Sequence, residues 1–441
     1  MDFGRSDDPR VSAQLDRLAG LSVPQGRLGL ETIRALMERL GNPHRNLPPV
    51  FHVAGTNGKG STCAFLRAML EAEGYRVHVT ISPHLVRYNE RIRLAGKLIE
   101  DGPLADLLEE VLDAGADLGP SFFEVTIAAA FLAFSRTPAD ACVVEVGLGG
   151  RFDATNVLEP EVLAACGIAA LGIDHERFLL APEDGVPTEP MARIAFEKAG
   201  IAKKGVPLVT LGDLYLHEAR TAIIRAATSM GAPLMEHGPD WLCDTADGGV
   251  LYYFDYDESE VGRSYPLPTI PGPHQARNAA LAIAMIGSQR RLVVSEAAIR
   301  SGLMRAHWPA RMQRLGHGPL TALTSERTVW LDGGHNPNAG EALSAGLAAD
   351  PASLHLILGM LDNKDPRALI EPLGDRIRTL QVVPVPDHDS HPAEAFGPDA
   401  VARANLEEAM LNVPDDDYPI LIAGSLYLAG EALRLNDEIP D

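Results

Sequence analysis

Residues 50–62 combine the side chains that bind the phosphate groups of a nucleotide. Their sequence, VFHVAGTNGKGST, is an apolar run, a glycine-rich turn, a lysine and two hydroxyl residues, and an amphipathic helical pattern follows. Glycines let backbone N–H groups converge on phosphate oxygens, and the positive end of the helix dipole favours the same anion. Lys59 can reach the β- and γ-phosphates, and a Ser or Thr hydroxyl can bind Mg²⁺. We therefore expect a nucleotide-binding loop between a strand and a helix.

This loop departs from the usual G-x-x-x-x-G-K-[ST] pattern, because Gly60 separates Lys59 from Ser61. The alternative is a glycine-rich turn in which the lysine has no function. The buried-strand pattern before the turn and the helical pattern after it favour the nucleotide-binding loop, since a phosphate cradle needs both elements.

Ser82, Glu145 and His175 each lie at the end of a buried-strand pattern. The carboxyl ends of parallel strands share one edge of the sheet, and ligands bind beyond that edge. A carboxylate beside a hydroxyl and a histidine predicts a Mg²⁺ site, although Mg²⁺ prefers oxygen ligands. The alternatives are a helix-capping or salt-bridged Glu145 and a His175 that is simply hydrogen-bonded near a strand end.

The elements that position these residues indicate an α/β fold. Nearly continuous apolar strands alternate with helical patterns, which predicts a parallel sheet covered by helices on both faces. The strands of this first series are residues 50–53, 76–81, 141–146, 162–168 and 207–211. A second series, with strands at residues 328–331, 354–358, 379–383 and 419–423, predicts a smaller Rossmann-like domain. The second series has no G-x-G-x-x-G after its first strand, which argues against a dinucleotide site.

We expect two domains. Residues 1–306 would form the P-loop ATPase domain, in which the tyrosine-rich, alternating stretch at residues 241–268 predicts a small antiparallel appendage. Residues 307–441 would form the C-terminal Rossmann-like domain. The hinge between them is expected at residues 308–311, which include Arg311.

Composition restricts the class of protein. The chain has 441 residues, of which 46% are hydrophobic, and no apolar run in it is long enough to span a bilayer. Its formal net charge of −22 argues against a nonspecific nucleic-acid binder, which needs positive charge. The N-terminus lacks the layout of a signal peptide, which predicts a cytoplasmic protein, and we expect a monomer. The four cysteines have no C-x-x-C spacing, and Cys63, Cys142 and Cys166 lie in apolar contexts that predict buried free thiols.

Several longer motifs occur in one order along the chain. They are G-T-N-G-K-G-S at residues 55–61, S-P-H-L at 82–85, E-V-G-L-G-G-R-F-D-A-T-N at 145–156, D-H at 174–175, E-K-A-G-I at 197–201, H-Q-x-x-N at 274–278, D-x-x-H-N-P at 332–337, N-K-D at 363–365 and G-S-L-Y-L at 424–428. Together they resemble the dihydrofolate synthase/folylpolyglutamate synthase family, the folate branch of the Mur ligase superfamily.

The resemblance implies an ATP-dependent ligase that joins L-glutamate to the carboxylate of dihydropteroate or of folates, with two Mg²⁺ ions. The implied ATP-binding residues are Gly55, Thr56, Asn57, Gly58, Lys59, Gly60, Ser61, Asn278, Arg311 and Asp332. The implied metal ligands are Ser61, Ser82, Glu145 and His175, the implied pterin contacts are Phe123 and Asp153, and the implied glutamate contacts are His335 and Ser425.

The same resemblance implies that Lys59, Lys198 and His335 are catalytic, and that Lys198 is carbamylated, which turns a cation into a metal-binding anion. The alternative for Lys198 is an ordinary helix lysine paired with a carboxylate. Phosphorylation of the substrate carboxylate would give ADP and an acyl phosphate, and the amine of glutamate would then displace phosphate. Rival hypotheses are a folylpolyglutamate synthase only, a different Mur-type ligase, a P-loop kinase or NTPase switch, and a nucleotide-binding regulator without catalysis.

Two segments depart from the family pattern. Residues 176–190 are longer and richer in proline than expected, which predicts a remodelled surface beside the second metal. Residues 384–395 also differ, and here His388, Asp389 and His391 would form either a metal cluster or, as we favour, a solvated loop.

Overall fold

The computed structural model describes residues 6–21, 29–246, 249–255, 262–324, 327–347 and 353–441. The helices are α1 (Pro9–Ala19), α2 (Glu31–Arg39), α3 (Lys59–Glu73), α4 (Asp101–Ala114), α5 (Phe122–Arg136), α6 (Glu176–Leu179), α7 (Pro190–Ala199), α8 (His217–Met230), α9 (His274–Gly287), α10 (Glu296–Arg305), α11 (Pro337–Gly346), α12 (Arg367–Leu373), α13 (Leu406–Leu411) and α14 (Leu426–Leu435).

The strands of the first half are β1 (Val50–Ala54), β2 (Val77–Thr80), β3 (Ile92–Leu94), β4 (Lys97–Leu98), β5 (Ala141–Glu145), β6 (Leu163–Ile168), β7 (Leu208–Thr210) and β8 (Leu234–Glu236). The others are β9 (Trp241–Ala246), β10 (Val250–Asp255), β11 (Arg263–Pro266), β12 (Gln313–Arg314), β13 (Val329–Leu331), β14 (Leu354–Leu358), β15 (Ile377–Val382), β16 (Ala400–Ala402) and β17 (Ile420–Ala423).

The largest sheet has eight strands in the order β4-β3-β2-β5-β1-β6-β7-β8. The strands from β2 to β8 in that order are parallel, as predicted, and β1 lies between β5 and β6. Side chains of a strand alternate between the faces of a sheet. Accordingly, Val50 and Ala54 belong to the core on one face, and Phe51 and Val53 belong to the core on the other. This double burial explains why the strands are apolar throughout.

The β3–β4 hairpin is a difference from the predicted all-parallel sheet. It pairs antiparallel with β2 at one edge. Its two-residue turn is Ala95-Gly96, and both residues have positive φ, 48° and 92°. Two residues with positive φ are typical of the turn that matches the twist of two antiparallel strands. The sequence signal was a short alternating pattern around an Ala-Gly pair, weaker than the usual Asn-Gly.

The antiparallel appendage is confirmed. Strands β11, β10 and β9 form a separate three-stranded sheet, and Trp241, Leu251 and Tyr253 of that sheet share a core with α3, α9 and α10. The appendage is therefore packed on the face of the large sheet that carries the helix following the glycine-rich loop.

The C-terminal sheet has six strands in the order β12-β13-β17-β14-β15-β16. All of its pairs are parallel except β12–β13, which confirms the Rossmann-like unit and adds two short edge strands that were not predicted, β12 and β16. Ala306 belongs to a core of the first domain and Ala310 to a core of the second, so the predicted boundary between residues 306 and 307 lies between the two cores.

Two further observations concern expectations from composition. Cys63, Cys142 and Cys166 are free and buried, as predicted. Among the described residues, no helix combines the length and the apolar character that crossing a membrane requires.

Candidate nucleotide- and metal-binding site

The glycine-rich loop joins the end of β1 to the start of α3 at Lys59. Gly58, immediately before the helix, has φ 83°, and a Cβ atom there would lie 2.4 Å from Oδ1 of Asn278. Glycine is therefore required at position 58 for its backbone conformation and for the close approach of α9. Asn278 in turn donates from Nδ2 to Oε1 of Gln275 at 3.0 Å. The structure thus brings Asn278 directly against the predicted nucleotide loop.

Two lysines converge on one carbonyl oxygen of this loop. Lys59 Nζ donates to the oxygens of Gly55 and Thr56 at 3.1 and 3.2 Å, and Lys198 Nζ donates to the Gly55 oxygen at 2.9 Å. Lys198 is 4% exposed, and in the described part of the chain it makes no ion pair with a carboxylate, so the pairing assumed by the ordinary-lysine alternative is not seen. The ammonium group of Lys59 attracts an anion to this point. A polyphosphate is such an anion.

Burial, and then the charge of Lys59, lower the pKa of Lys198 from 10.5 to about 7. Between about pH 7 and 10.5 the unfolded chain therefore binds a proton that the folded chain does not, so this residue makes stability rise with pH. We expect that Lys198→Met removes this dependence. Urea unfolding at several pH values between 7 and 10 measures it, with the exposed Lys204→Met as control; parallel curves for wild type and Lys198→Met would contradict the burial of a neutral amine.

Glu145 lies at the carboxyl end of β5 and is 5% exposed. Its Oε2 accepts the backbone N–H of Ser82 at 3.3 Å, and the Ser82–Pro83 peptide bond is cis. Burial raises the pKa of Glu145, whereas Lys59 and Arg311 lower it. A buried carboxylate without a directly bonded cationic side chain among the described residues is suited to a metal ion, since the ion offsets the desolvation of the charge.

His175 follows Asp174 in the loop after β6. Its backbone is left-handed, with φ 53°, and its side chain is 46% exposed. Oδ1 of Asp174 accepts the backbone N–H of His175 at 2.7 Å. The imidazole therefore faces accessible space at the same edge of the sheet as Ser82 and Glu145.

The described residues contain no group of three or more His, Cys, Asp or Glu side chains that could hold a metal ion by themselves. Mg²⁺ keeps several waters and is commonly bound by one or two protein ligands plus the phosphates of a substrate. Ser61, 2% exposed in the first turn of α3, and Ser82 would supply hydroxyl oxygens beside the Glu145 carboxylate. These residues therefore fit a metal ion whose coordination is completed by the phosphates of a nucleotide.

The loop after β13 meets the glycine-rich loop from the C-terminal side. The side-chain amides of Asn57 and Asn336 exchange two hydrogen bonds, of 3.2 and 3.1 Å, across the domain boundary. Asp332 is 7% exposed and accepts the backbone N–H groups of Met312 and Gly334 at 2.8 and 2.7 Å. Asp332 thus shapes its own loop, and its carboxylate is already bonded to protein groups.

Arg311 lies near both carboxylates. Its charge lowers the pKa of Glu145 and is the largest influence opposing burial at Asp332. The guanidinium itself donates to the oxygen of Ala310 at 3.3 Å. The hinge arginine therefore stands between the metal edge of the first domain and the loop of the second.

Phe123 and Asp153 both flank the turn that follows Glu145. The Phe123 ring packs on Gly147, where a Cβ atom would lie 2.3 Å from it. Asp153 accepts the N–H and hydroxyl of Thr155 at 3.0 and 2.5 Å and the N–H of Leu148 at 2.8 Å. The backbone N–H of Gly147 also bonds Asp153, so its own turn uses the roughly four acceptor positions of this carboxylate. Asp153 thus caps the short helix Ala154–Val157, and the pterin contact stays a prediction.

His335 and Ser425 lie in the loops that follow β13 and β17 of the C-terminal sheet. Ser425 is 3% exposed, and its hydroxyl accepts the N–H of Tyr427 at the start of α14. His335 Nε2 lies 3.5 Å from Oδ2 of Asp174 in the first domain. The structure brings His335 to the nucleotide edge, whereas Ser425 acts as a helix cap.

The two departing segments have structural partners. Glu183, within residues 176–190, forms ion pairs with both Arg151 and Arg193, and the remodelled surface beside the second metal stays a prediction. His388 bonds the oxygen of Pro386 and His391 bonds the oxygen of Lys364, each at 2.7 Å. Since the described residues contain no three-residue metal cluster, the metal-cluster alternative at residues 388–391 is wrong.

Sequence reasoning did not predict the contacts that Trp308 and Lys364 make at the domain boundary. Trp308 covers the start of α3, because a Cβ atom on Gly60 would lie 2.4 Å from its ring. Lys364 reaches Asp174 with Nζ at 2.5 Å from Oδ1. Trp308 and Arg311 also line a cavity of about 330 Å³ beside Ser82 and Glu145. The N-K-D motif was a signal for Lys364, but nothing in it indicated the partner.

The chain is similar to proteins of known activity over most of its length. No family model matches it. It is 32% identical over 437 residues to a dihydrofolate synthase/folylpolyglutamate synthase of Escherichia coli (strain K12), covering 97% of this chain and 96% of that protein. It is 33% identical over 420 residues to a folylpolyglutamate synthase of Lacticaseibacillus casei, covering 90% and 92%.

Solved structures agree with the sequence comparison. E. coli FolC in complex with DHPP and ADP superposes with a TM-score of 0.82 at 29% identity, over 98% of both chains. A bifunctional folylpolyglutamate synthase/dihydrofolate synthase with Mn, AMPPNP and L-glutamate bound gives 0.81 at 28% identity, over 96% of this chain and 97% of that one. The resemblance indicated by the motifs is confirmed over nearly the full length: the chain belongs to the dihydrofolate synthase/folylpolyglutamate synthase family of ATP-dependent ligases.

Proposed function

We propose that this enzyme uses ATP to join the amine of L-glutamate to the carboxylate of dihydropteroate, and also of folyl-glutamates, releasing ADP and phosphate. The observation that carries the proposal is the pair Lys59 and Lys198 on the Gly55 carbonyl, at the edge where Glu145 ends β5. Lys59 supplies positive charge for phosphates, and Glu145 supplies a carboxylate for a metal in the same place. The names and ligands of the relatives support the same chemistry.

The first step forms an acyl phosphate. A carboxylate oxygen of the acceptor attacks the γ-phosphorus, the bond to the β-γ bridging oxygen breaks, and ADP leaves. Lys59 and Arg311 stabilise the charge that develops on the phosphoryl oxygens. Glu145, Ser61, Ser82 and His175 would hold Mg²⁺, which supplies further charge neutralisation at the phosphates.

The second step forms the amide. The neutral amine of L-glutamate attacks the acyl carbon, the bond to the phosphate oxygen breaks, and the amine loses a proton to a base. We place L-glutamate near His335, with Ser425 as the second contact on the C-terminal domain. The contacts between Asn57 and Asn336 hold the two domains together over this edge, which excludes water that would hydrolyse the acyl phosphate.

Lys198 is proposed to carry a carbamate in the working enzyme. A pKa of about 7 leaves much of the amine neutral at physiological pH, and the neutral amine is the form that adds CO₂. The product is an anion beside the metal edge. We further propose that the enzyme is cytoplasmic and monomeric.

A direct assay tests the function. The enzyme is incubated with ATP, Mg²⁺ and L-glutamate together with dihydropteroate or with a tetrahydrofolate, and the products are identified by mass. We expect ADP and a glutamylated product with each acceptor. Glutamylation of folates without glutamylation of dihydropteroate would indicate a folylpolyglutamate synthase only. ADP formation that requires neither acceptor nor L-glutamate would favour the NTPase hypothesis, and a stable phosphorylated product in place of a glutamylated one would favour the kinase hypothesis.

Asp153→Ala is expected to lower kcat/KM for dihydropteroate about 10- to 100-fold more than for a tetrahydrofolate. Loss of a buried acceptor leaves the donors of a pterin unpaired, at about 1–3 kcal/mol. Because Asp153 also orders its own turn, Thr155→Val serves as the control: it removes the hydroxyl that bonds Asp153 and leaves the carboxylate in place. Equal losses for the two acceptors in Asp153→Ala would make the residue a turn-forming aspartate.

A further inference from the structure

The carboxylate of Asp174 is a junction between the two domains. Its Oδ1 accepts Nζ of Lys364 at 2.5 Å and the backbone N–H of His175 at 2.7 Å. Its Oδ2 lies 3.5 Å from Nε2 of His335 and 4.0 Å from Nε2 of His175. One carboxylate thus contacts the backbone and ring of His175 in the first domain, and the ammonium group of Lys364 and the ring of His335 in the second.

The junction is shielded from solvent and its second-domain side is firmly placed. The side chains of Asp174 and Lys364 are 12% and 13% exposed. The Lys364 backbone is held at both ends, since its N–H donates to Leu361 at 3.1 Å and its oxygen bonds His391 at 2.7 Å. A charge pair in such surroundings is screened less than a surface pair. Removal of one partner leaves the other charge buried and unpaired.

On the first-domain side of the Asp174 junction, the backbone is strained at His175. His175 has φ 53°, a left-handed conformation that is uncommon for residues other than glycine and that persists only where neighbouring groups hold it. The bond from its own N–H to Asp174 is such a constraint. The orientation of the imidazole therefore depends on where the Asp174 carboxylate lies, and Lys364 helps to determine that.

We propose that Asp174 is a positioning residue whose ion pair with Lys364 makes the placement of His175 depend on docking of the C-terminal domain. When the domains are apart, Asp174 loses Lys364 and His335, and its carboxylate is free to turn away from the N–H of His175. Metal–nucleotide binding at His175 is then coupled to domain closure. The metal role of His175 belongs to the proposed function, on which this inference rests.

The test measures binding of Mn²⁺ with AMPPNP, in the absence of glutamate and acceptor, by electron paramagnetic resonance titration. We expect Asp174→Asn and Lys364→Met each to weaken Mn²⁺ binding about 10- to 100-fold, the range for groups that orient a metal ligand. The double variant should be no weaker than Asp174→Asn alone, because the two residues act through one contact. Additive losses, or unchanged affinity in Lys364→Met, would overturn the proposal.

Arg87→Met is the matched control, since Arg87 also crosses the boundary, donating from Nη2 to the oxygen of Pro440 at 3.0 Å, without touching residues 174–175. It should leave Mn²⁺ affinity unchanged; a loss equal to that of Lys364→Met would overturn the specific role of Asp174.

Amide hydrogen exchange of residues 172–178 gives a readout that needs no metal. We expect faster exchange in Lys364→Met than in wild type or Arg87→Met, and equal rates would overturn the coupling. If the wild type binds no Mn²⁺–AMPPNP, the proposed function fails while this measurement still decides whether Lys364 orders the loop. Lys364 lies outside that loop, so Lys364→Met keeps the proposal testable even where Asp174→Asn does not fold.

Discussion

Lys59→Ala is expected to lower the rate of glutamate ligation about 100- to 1000-fold without unfolding the protein. The lysine would contribute a positive charge at the phosphates in a site shielded from water, where one such group has an effect of this size. In the present structure its Nζ donates only to backbone oxygens of the loop, at Gly55 and Thr56, so its removal leaves no buried carboxylate unpaired among the described residues. Steady-state kinetics with ATP and circular dichroism measure both parts of the expectation.

Lys97→Ala is the control, because Lys97 is exposed in β4 and lies outside the site. A second readout is the pKa of Lys198, which Lys59 lowers; in Lys59→Ala it should rise. An unchanged kcat in Lys59→Ala would refute the assignment of the glycine-rich loop to the nucleotide.

Glu145→Gln is expected to weaken Mg²⁺ or Mn²⁺ binding in the presence of nucleotide and to reduce the ligation rate about 100-fold or more. The substitution removes a negative charge and keeps the size, and a carboxylate is the strongest protein ligand for Mg²⁺ at this edge. The amide oxygen of glutamine can still accept the N–H of Ser82, so the strand end should keep its structure. Titration of the metal followed by kinetics separates the binding loss from the rate loss.

The exposed Glu161→Gln is a matched control of the same chemistry. Burial raises the pKa of Glu145, so on acidification this carboxylate takes up a proton at a higher pH than an exposed carboxylate does. The metal affinity of the wild type should therefore begin to fall at that higher pH. Full activity of Glu145→Gln at ordinary Mg²⁺ concentrations would make Glu145 a structural carboxylate.

The parallel architecture and the edge that carries the site could be predicted because both have local signals. Apolar runs such as residues 50–53 and 141–146 are long enough to indicate strands buried on both faces, and parallel strands present their carboxyl ends together. Position in the sequence therefore placed Gly55, Lys59, Ser82, Glu145 and His175 at this edge, and their roles in binding stay predictions. The β3–β4 hairpin was missed, because strands of three and two residues leave almost no periodic pattern.

Only the tertiary structure decided how those residues are supported. Asp174 bonds Lys364 across 190 residues, and Asn57 bonds Asn336 across 279. Such contacts depend on how two folded domains dock, and no periodicity or motif encodes that. The use of the Asp153 carboxylate for its own turn likewise depends on where the N–H of Leu148 and the hydroxyl of Thr155 come to lie. The sequence alone determined which chemistry stands at the sheet edge, since that follows from strand order and residue type; the surrounding packing decided which side chains remain free to perform it.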